Sequence, residues 1–421
     1  MIVQRTETHI IKEPNPIYGW IVEECLRSKN LYNRALFIYR QAFTGNHDKI
    51  KDFKSIIRHD KFISSFELVK QMAKLKDVDY YAMTKKNSGT QVVCQVDRVM
   101  KSWFASLKSY KNDSSKFRGR PRIPSYKKKD ELNCLTYTYV DAKLQKDGTI
   151  NISKTIKLPI HTNLKSFQQI RLVPKTGHIQ VEIVYNKEIT DSNLDKTRAI
   201  GIDLGLNNLM AITSNIGNIS SLVNGRPLKS INQYYNKRKA HLTSLLEKGG
   251  LKSSKRLRRL EMKRTCKIKD YLHKTSIRVV ELMYNNNIGT CFIGHNKDWK
   301  QEVEMGKRNN QNFVSIPYSL LINMLRYKIE EKGGVLVELN EAYTSKCSFL
   351  DNEEIGKHEN YKGKRVKRGL FLSGSNKALN ADINGSLNIL KRGIGFSFMV
   401  KNNIFRPEKI DIEKKLLNPL G

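Results

Sequence analysis

Two aspartates in this chain stand where a carboxylate is either costly or useful. Asp203 ends the apolar stretch "AIGID" and is followed at once by the turn "LGLNN"; Asp382 sits near the start of "NADINGSLNILKRG". An ionised carboxylate among apolar neighbours is unfavourable unless it is paired or coordinates a metal. Asp382 has a simpler reading as well, because the first turn of a helix favours acids. Taken together in a very basic chain, the two suggest two-metal phosphodiester chemistry, in which acids hold two Mg2+ ions roughly 4 Å apart to activate water and stabilise the leaving oxygen.

The elements around them predict an α/β layout. "AIGID" reads as a buried strand and "LMAITS" as a second strand antiparallel to it. From Arg226 to about Asn287 the chain reads as helical. Lys255, Arg256, Arg258, Arg259, Lys263 and Arg264 crowd its faces, which suggests a helix lying along a phosphate backbone, with a solvated hairpin as the alternative. "IGTCFIG" is a strand and "SIPYSLLINMLRYKIEEKGG" a helix with Ser315 as N-cap and Pro317 in its first turn. "VLVELNEAYTSK" is another strand, and "NADINGSLNILKRG" closes the unit as a helix.

Upstream, "IVQRTETHIIK" alternates as a strand before "EPNP" breaks the chain, and two helices follow. In "TQVVCQVDRVMKSWFASLKSYK", Val92, Val96, Met100, Trp103 and Leu107 share one helical face, the pattern of a bundle core. "KFRGRPRIPSYKKK" then suggests an extended backbone-gripping loop through Arg118, Arg120, Arg122 and Lys127. From "LTYTYV" through "GTINISKTIKLPI" to "IRLVPKTGHIQVEIVY" the period becomes two, with a hairpin at "PKTG", which predicts a small antiparallel barrel or sheet completed by the N-terminal strand.

Composition narrows the class. Of 421 residues, 76 are Lys or Arg and 40 Asp or Glu, a formal net charge of +36 that implies a polyanionic partner, nucleic acid first. The length predicts two or three domains. No apolar run approaches the ~18 residues that span a bilayer, and the N-terminus lacks a signal-peptide core, so a cytoplasmic protein without membrane contact is expected. Six single cysteines with no C-x-x-C pair argue against a disulfide framework and a four-cysteine zinc site.

The motifs "GIDLG", "YTSK" and "NADINGSLNIL", preceded by "NLYNRAL" and "GRPRIPSYK", resemble the TnpB/OrfB proteins of insertion sequences, relatives of the type V CRISPR effectors. The resemblance implies a wedge-like β-barrel (1–13 and 115–190) interrupted by a helical recognition domain (14–114). A RuvC domain of RNase H-like fold (196–398) follows, with a basic helical insertion (225–288), and then a C-terminal tail (399–421). It also implies an RNA-guided, Mg2+- or Mn2+-dependent DNA endonuclease, with guide RNA from the transposon end and double-stranded target DNA cut beside a short flanking motif. A prokaryotic, nucleoid-associated location goes with that reading.

The family's first and last catalytic acids fall on Asp203 and Asp382. Its second, a Glu at the end of the strand before "N-x-x-x-K", falls on Gly294. Two carboxylates without the third fit an alternative, a nuclease-inactive RNA-guided DNA-binding protein acting as a repressor or transposition accessory. A third reading is a general RNA-binding protein on an RNase H-like core. Glu302 and Glu304 lie close in sequence but have no strand to fix them. Glu341 is better placed: in an RNase H-like sheet "VLVELNE" lies beside the strand ending at Gly294, and strand alternation turns Glu338 away if Glu341 points inward. Asp203, Glu341 and Asp382 are therefore the expected catalytic and metal-binding set. Thr344, Ser345 and Lys346 are expected either to touch a phosphate or to build a turn, and Asn296, Lys297, Trp299 and Lys300 to contact nucleic acid, unless Trp299 packs on the sheet. The family commonly carries a four-cysteine zinc ribbon before its last acid. Here only Cys347 remains in the insert (347–379), so a metal-free basic loop without zinc is expected.

Overall fold

The computed structural model describes residues 2–57, 63–189, 191–296, 316–396 and 398–412. They fall into two compact units, one within Ile2–Glu188 and the other from Ile189 onward.

In the first unit, strand β1 (Ile2–Lys12) leads through "EPNP" into helices α1 (Tyr18–Phe43), α2 (Ser65–Lys74), α3 (Val78–Tyr81) and α4 (Lys86–Asn112). On α4, Val92, Val96 and Met100 are buried, as the helical spacing predicts. Strands β2 (Leu135–Thr138), β6 (Gln169–Lys175) and β7 (His178–Glu188) pair with β1 in the order β1-β7-β6-β2. β1 matches β7 along its whole length, and the β6–β7 hairpin turns at Thr176 and Gly177, the latter at φ +78°. The short strands β3 (Lys143–Leu144), β4 (Thr149–Asn151) and β5 (Lys157–His161) make a separate sheet. Among the described residues the hydrogen bonding thus gives two antiparallel sheets, the sheet form of the barrel-or-sheet expectation, rather than the one barrel that the resemblance implies. Nor is the expected boundary at residue 114 a break in packing: Leu36 and Val96 share one core with Leu135 and Ile183.

The second unit is built on a six-stranded sheet. β8 (Asp195–Leu204), β9 (Asn208–Ser214) and β10 (Ser220–Asn224) form an antiparallel meander. Helices α5 (Arg226–Lys248) and α6 (Lys255–Asn285) follow, and β11 (Ile288–Gly294) then lies parallel to β8. Helix α7 (Tyr318–Glu330) returns the chain to β12 (Val335–Leu339), parallel to β11. Pro317 is the N-cap of α7 rather than part of its first turn, and Ser315 lies outside the described residues. The strand expected to run on through "NEAYTSK" stops at Leu339, and Tyr343, at φ +67°, takes part in a turn.

Three strands, β13 (Lys364–Lys367), β14 (Leu370–Leu372) and β15 (Ala378–Leu379), then form a small antiparallel sheet before helix α8 (Ala381–Ile394). The segment expected to be a mere tail carries β16 (Glu408–Ile410), which joins the main sheet parallel to β10. The full order is β12-β11-β8-β9-β10-β16.

Alternation along β8 sorts the two faces of this sheet. Ile200, Ile202 and Leu204 meet α6 and α7 in one core, while Ala211 and Leu222 meet Ile383 and Leu387 of α8 in another. Helix α8 sits unusually close to β8. A Cβ on Gly201 would lie 2.5 Å from the Ser386 carbonyl oxygen, and one on Gly385 would lie 2.7 Å from Asp203 Oδ2. The Ser386 hydroxyl closes this contact by donating to Gly201 O at 2.8 Å. No helix among the described residues is long and apolar enough to cross a membrane.

Candidate active site

The carboxyl ends of the parallel strands β8, β11 and β12 open into a crevice, the usual place for a ligand in an open α/β sheet. A cavity of about 1250 Å³ occupies it, lined among others by Asp203, Glu341, Asp382, Asn208, Asn296 and Thr344. The three acids therefore come from separate elements: the end of β8, the turn after β12 and the first turn of α8.

Asp203 lies on the cavity floor, reachable through the cavity but surrounded by protein. Burial, then the nearby Asp382 and Glu341 charges, raise its carboxyl well above the usual range, with Arg365 opposing. Asp382 is better supported. Asn380 caps α8 by accepting from the Asp382 and Ile383 backbone N–H groups at 2.9 and 3.4 Å. Its Oδ2 accepts from Asn208 Nδ2 at 2.7 Å, and Arg365 stands 3.8 Å from Oδ1.

Glu341 is two residues past the end of β12, so its direction comes from the turn and not from strand alternation. The Glu341 N–H donates to Asn296 Oδ1 at 3.3 Å, while the Thr344 N–H and hydroxyl donate to Glu341 O at 3.1 and 2.8 Å. Helix α8 holds the same segment from outside. Arg392 donates to the carbonyls of Asn340 and Ala342, and Asn388 Nδ2 to those of Thr344 and Cys347, both at 2.8 Å. Asn384, Asn388 and Arg392, four residues apart, form one stripe facing this turn. A Cβ on Gly294 would lie 3.1 Å from Glu341 Oε2 and from Glu341 Cβ. The Glu341 carboxylate thus reaches over the space a side chain at 294 would occupy. Burial pushes its carboxyl up to about 7. Glu338 faces elsewhere, paired with Arg326 and with His295 Nδ1 at 3.0 Å.

These acids fit a cation. Asp203 and Glu341 are both raised by burial, and Asp203 further by the acids beside it, which leaves an unmet demand for positive charge. Among the described residues no three His, Cys, Asp or Glu side chains are gathered closely enough to cage one metal ion, so the acids surround the cavity instead of closing on a single point.

Sequence reasoning missed the cations on the rim. Arg226, Arg365, Arg368 and Lys409 line the same cavity, and the Arg368 fork meets the Asn207 amide at 3.0 and 3.1 Å. "KGKRVKRG" marked the insert as basic, but nothing in it tied these arginines to the acids. Of the residues expected at nucleic acid, Thr344 is buried and uses its hydroxyl in the turn, while Ser345 is exposed at the cavity. Lys346 is exposed, 5.9 Å from the Tyr361 ring centre. Lys297, Trp299, Lys300, Glu302 and Glu304 lie outside the described residues.

On α6, Lys255, Arg256, Arg258, Arg259 and Lys263 are exposed, and Arg256, Arg259 and Lys263 border a groove of about 590 Å³ against α5. Arg264 is held internally by Asn232 Oδ1 at 2.7 Å and by stacking on Tyr235. Arg118, Arg120 and Arg122 are exposed on an irregular segment. Lys127 is committed to Glu131 at 3.2 Å and to the Tyr32 ring, and its backbone is bonded to Asn33.

The insert is held together by acids. Asp351 accepts from the Ser348 hydroxyl and the Gly374 N–H, both at 2.6 Å, and from the Ser375 N–H at 3.1 Å. Glu353 accepts from the Ser348 and Lys362 N–H groups at 2.6 and 2.9 Å. Cys347 is buried and directs its Sγ at Gly356 O. One cysteine among hydroxyls and carboxylates is not a zinc donor set of the four-cysteine kind.

Two family models match the second unit and its approach: OrfB of IS605 type, described as a probable transposase, over residues 178–300, and the Cas12f1-like TNB domain over 318–389. The TnpB-like protein ORF457 of Acidianus two-tailed virus is 25% identical over 259 residues, 59% of this chain and 53% of that protein. The TnpB-like protein MJ1635 of Methanocaldococcus jannaschii is 25% identical over 201 residues, 48% of this chain and 44% of its own length. The chain thus spans about half the length of these relatives. In fold it is similar to Cas12f1, solved as a complex with sgRNA and target DNA, at a TM-score of 0.51 and 15% identity, over 89% of this chain and 82% of that one.

Proposed function

The chain belongs to the TnpB family, and from that premise we propose that it is an RNA-guided DNA endonuclease in which Asp203, Glu341 and Asp382 would share the binding of two metal ions around the cavity. The observation that carries this reading is the meeting of three acids from distant parts of the chain in one cavity, with Glu341 lying over the side-chain space absent at Gly294. A non-cutting protein has no evident use for that arrangement. A pair of Mg2+ or Mn2+ ions would supply Lewis-acid stabilisation of the attacking and leaving oxygens of an in-line displacement.

The chain's own residues supply the rest. Asp203 and Glu341 offer carboxylate oxygens to the cavity. Asn208 ties down one oxygen of Asp382 and leaves the other toward Arg365. Arg226, Arg365 and Arg368 are placed at the rim to take phosphate charge. Guide RNA and the guide–target heteroduplex would be held through their backbones, chiefly by exposed cations of α6 and of the segment around Arg118–Arg122, with sequence read by base pairing. A flanking DNA motif read by the first unit, a guide drawn from the element's end and a nucleoid-associated location belong to the same proposal.

The test is to purify the protein with its co-expressed RNA and assay matched double-stranded DNA in Mg2+. Guide-dependent cutting that is lost in Asp203→Ala is the expected result. Guide-dependent binding with no cleavage under any divalent cation would instead establish the RNA-guided binding protein without nuclease activity.

A further inference from the structure

Residues 398–412 run across the second unit as a strap. Phe398 packs against Phe349 with ring centres 5.1 Å apart, Val400 and the buried Ile404 join the core beneath α8, and Ile410 and Ile412 pack on the core of the opposite face. Between these anchors β16 pairs with the edge strand β10.

The register of that pairing gives the strap a chemical role. Asp203 is the cross-strand partner of Ala211, Ala211 of Leu222, and Leu222 of Lys409. Residues paired side by side project from the same face of a sheet, so Asp203 and Lys409 are two ends of one row. Three strand spacings of roughly 4.8 Å separate them, about 14 Å between backbones, and both line the cavity. Ile410, one step out of phase, packs on the core of the other face, and it and Asp411 also border the cavity. Lys409 is exposed, and among the described residues it forms no ion pair with the acids it faces. An extended ammonium at the edge of an acidic cavity is suited to an incoming anion on a path that ends at Asp203.

We propose that Lys409 grips a backbone phosphate of the DNA strand being cut, as a positioning residue, and that the strap is a wall of the active site. This rests on the nuclease reading above. Its test uses the full chain with co-expressed RNA and matched target DNA in EDTA, footprinted by lysine acetylation and mass spectrometry. Target DNA is expected to protect Lys409. In Mg2+, Lys409→Ala should slow single-turnover cutting about tenfold at saturating target and Lys409→Glu more, with thermal unfolding unchanged and Lys409→Arg restoring most of the rate. Equal labelling with and without target, or wild-type cutting by Lys409→Glu, would overturn the proposal. Protection of Lys409 in a wild-type protein that does not cut would leave the phosphate contact standing and remove the nuclease reading.

Discussion

Gly294 is small because its surroundings are already filled. An added methyl would lie 2.5 Å from Ile389 Cδ1 as well as against Glu341, so Gly294→Ala should lower stability by about 1 kcal/mol. Gly294→Glu, which places an acid where the resemblance would put one, should reduce the proposed cutting because it displaces the acid already there; faster cutting by Gly294→Glu would contradict this arrangement. Glu341 also gives a pH signature. Its carboxyl is raised in the fold to about 7 from an ordinary 4.5, so the folded metal-free protein binds more protons than the unfolded chain between those values. Stability therefore falls as pH rises from about 4.5 to 7 and stays low above that. Glu341→Gln should remove this loss and raise the unfolding temperature of the metal-free protein at pH 8, while leaving it little changed at pH 5. Calorimetry across that range decides the point, and an unchanged pH profile in the variant would refute it.

At the scale of elements, α8 is both carrier and clamp. Its first turn bears Asp382, and its Asn384, Asn388 and Arg392 stripe grips the turn that bears Glu341, so one rigid helix sets the spacing of two acids from separate segments. Arg392→Ala should cut at least tenfold more slowly with target binding kept, because the lost bonds fix the Glu341 backbone and touch no nucleic acid. Asp351 clamps the insert in a comparable way. Asp351→Ala should cost about 1–3 kcal/mol through the donors it leaves unpaired, and a zinc chelator should not change thermal unfolding. A chelator-induced loss of stability would show a metal in that insert. The sequence made some of this legible. Strand, turn and helix signals around Asp203 and Asp382 are local, and both acids could be singled out from them. The neighbour of Gly294 followed from sheet order, yet the alternation argument did not apply, since β12 stops before Glu341 and turn bonds direct it. Lys409 carried no local signal at all, because its place depends on a pairing between β16 and β10 that bring together remote parts of the chain.

For the whole molecule, the excess of 36 positive charges predicts strongly salt-dependent nucleic-acid binding. Replacing Arg256, Arg259 and Lys263 together with Ala should weaken guide-RNA binding at all guide sequences alike and flatten the slope of log affinity against log salt by about 3; an unaltered slope would place the RNA elsewhere. The expected barrel and separate helical domain were less legible than the six-stranded sheet of the second unit, because alternation identifies strands without saying which edges close, and helical stripes do not say whose core they enter. The strap has a consequence for synthesis. A ribosome that has made residue 400 has already made all three acids, but the edge of β10 is still bare. A chain released at that point would carry the three carboxylates together with an unpaired strand edge, open to association with other chains. The β10 edge is covered only once residues 408–410 have left the exit tunnel.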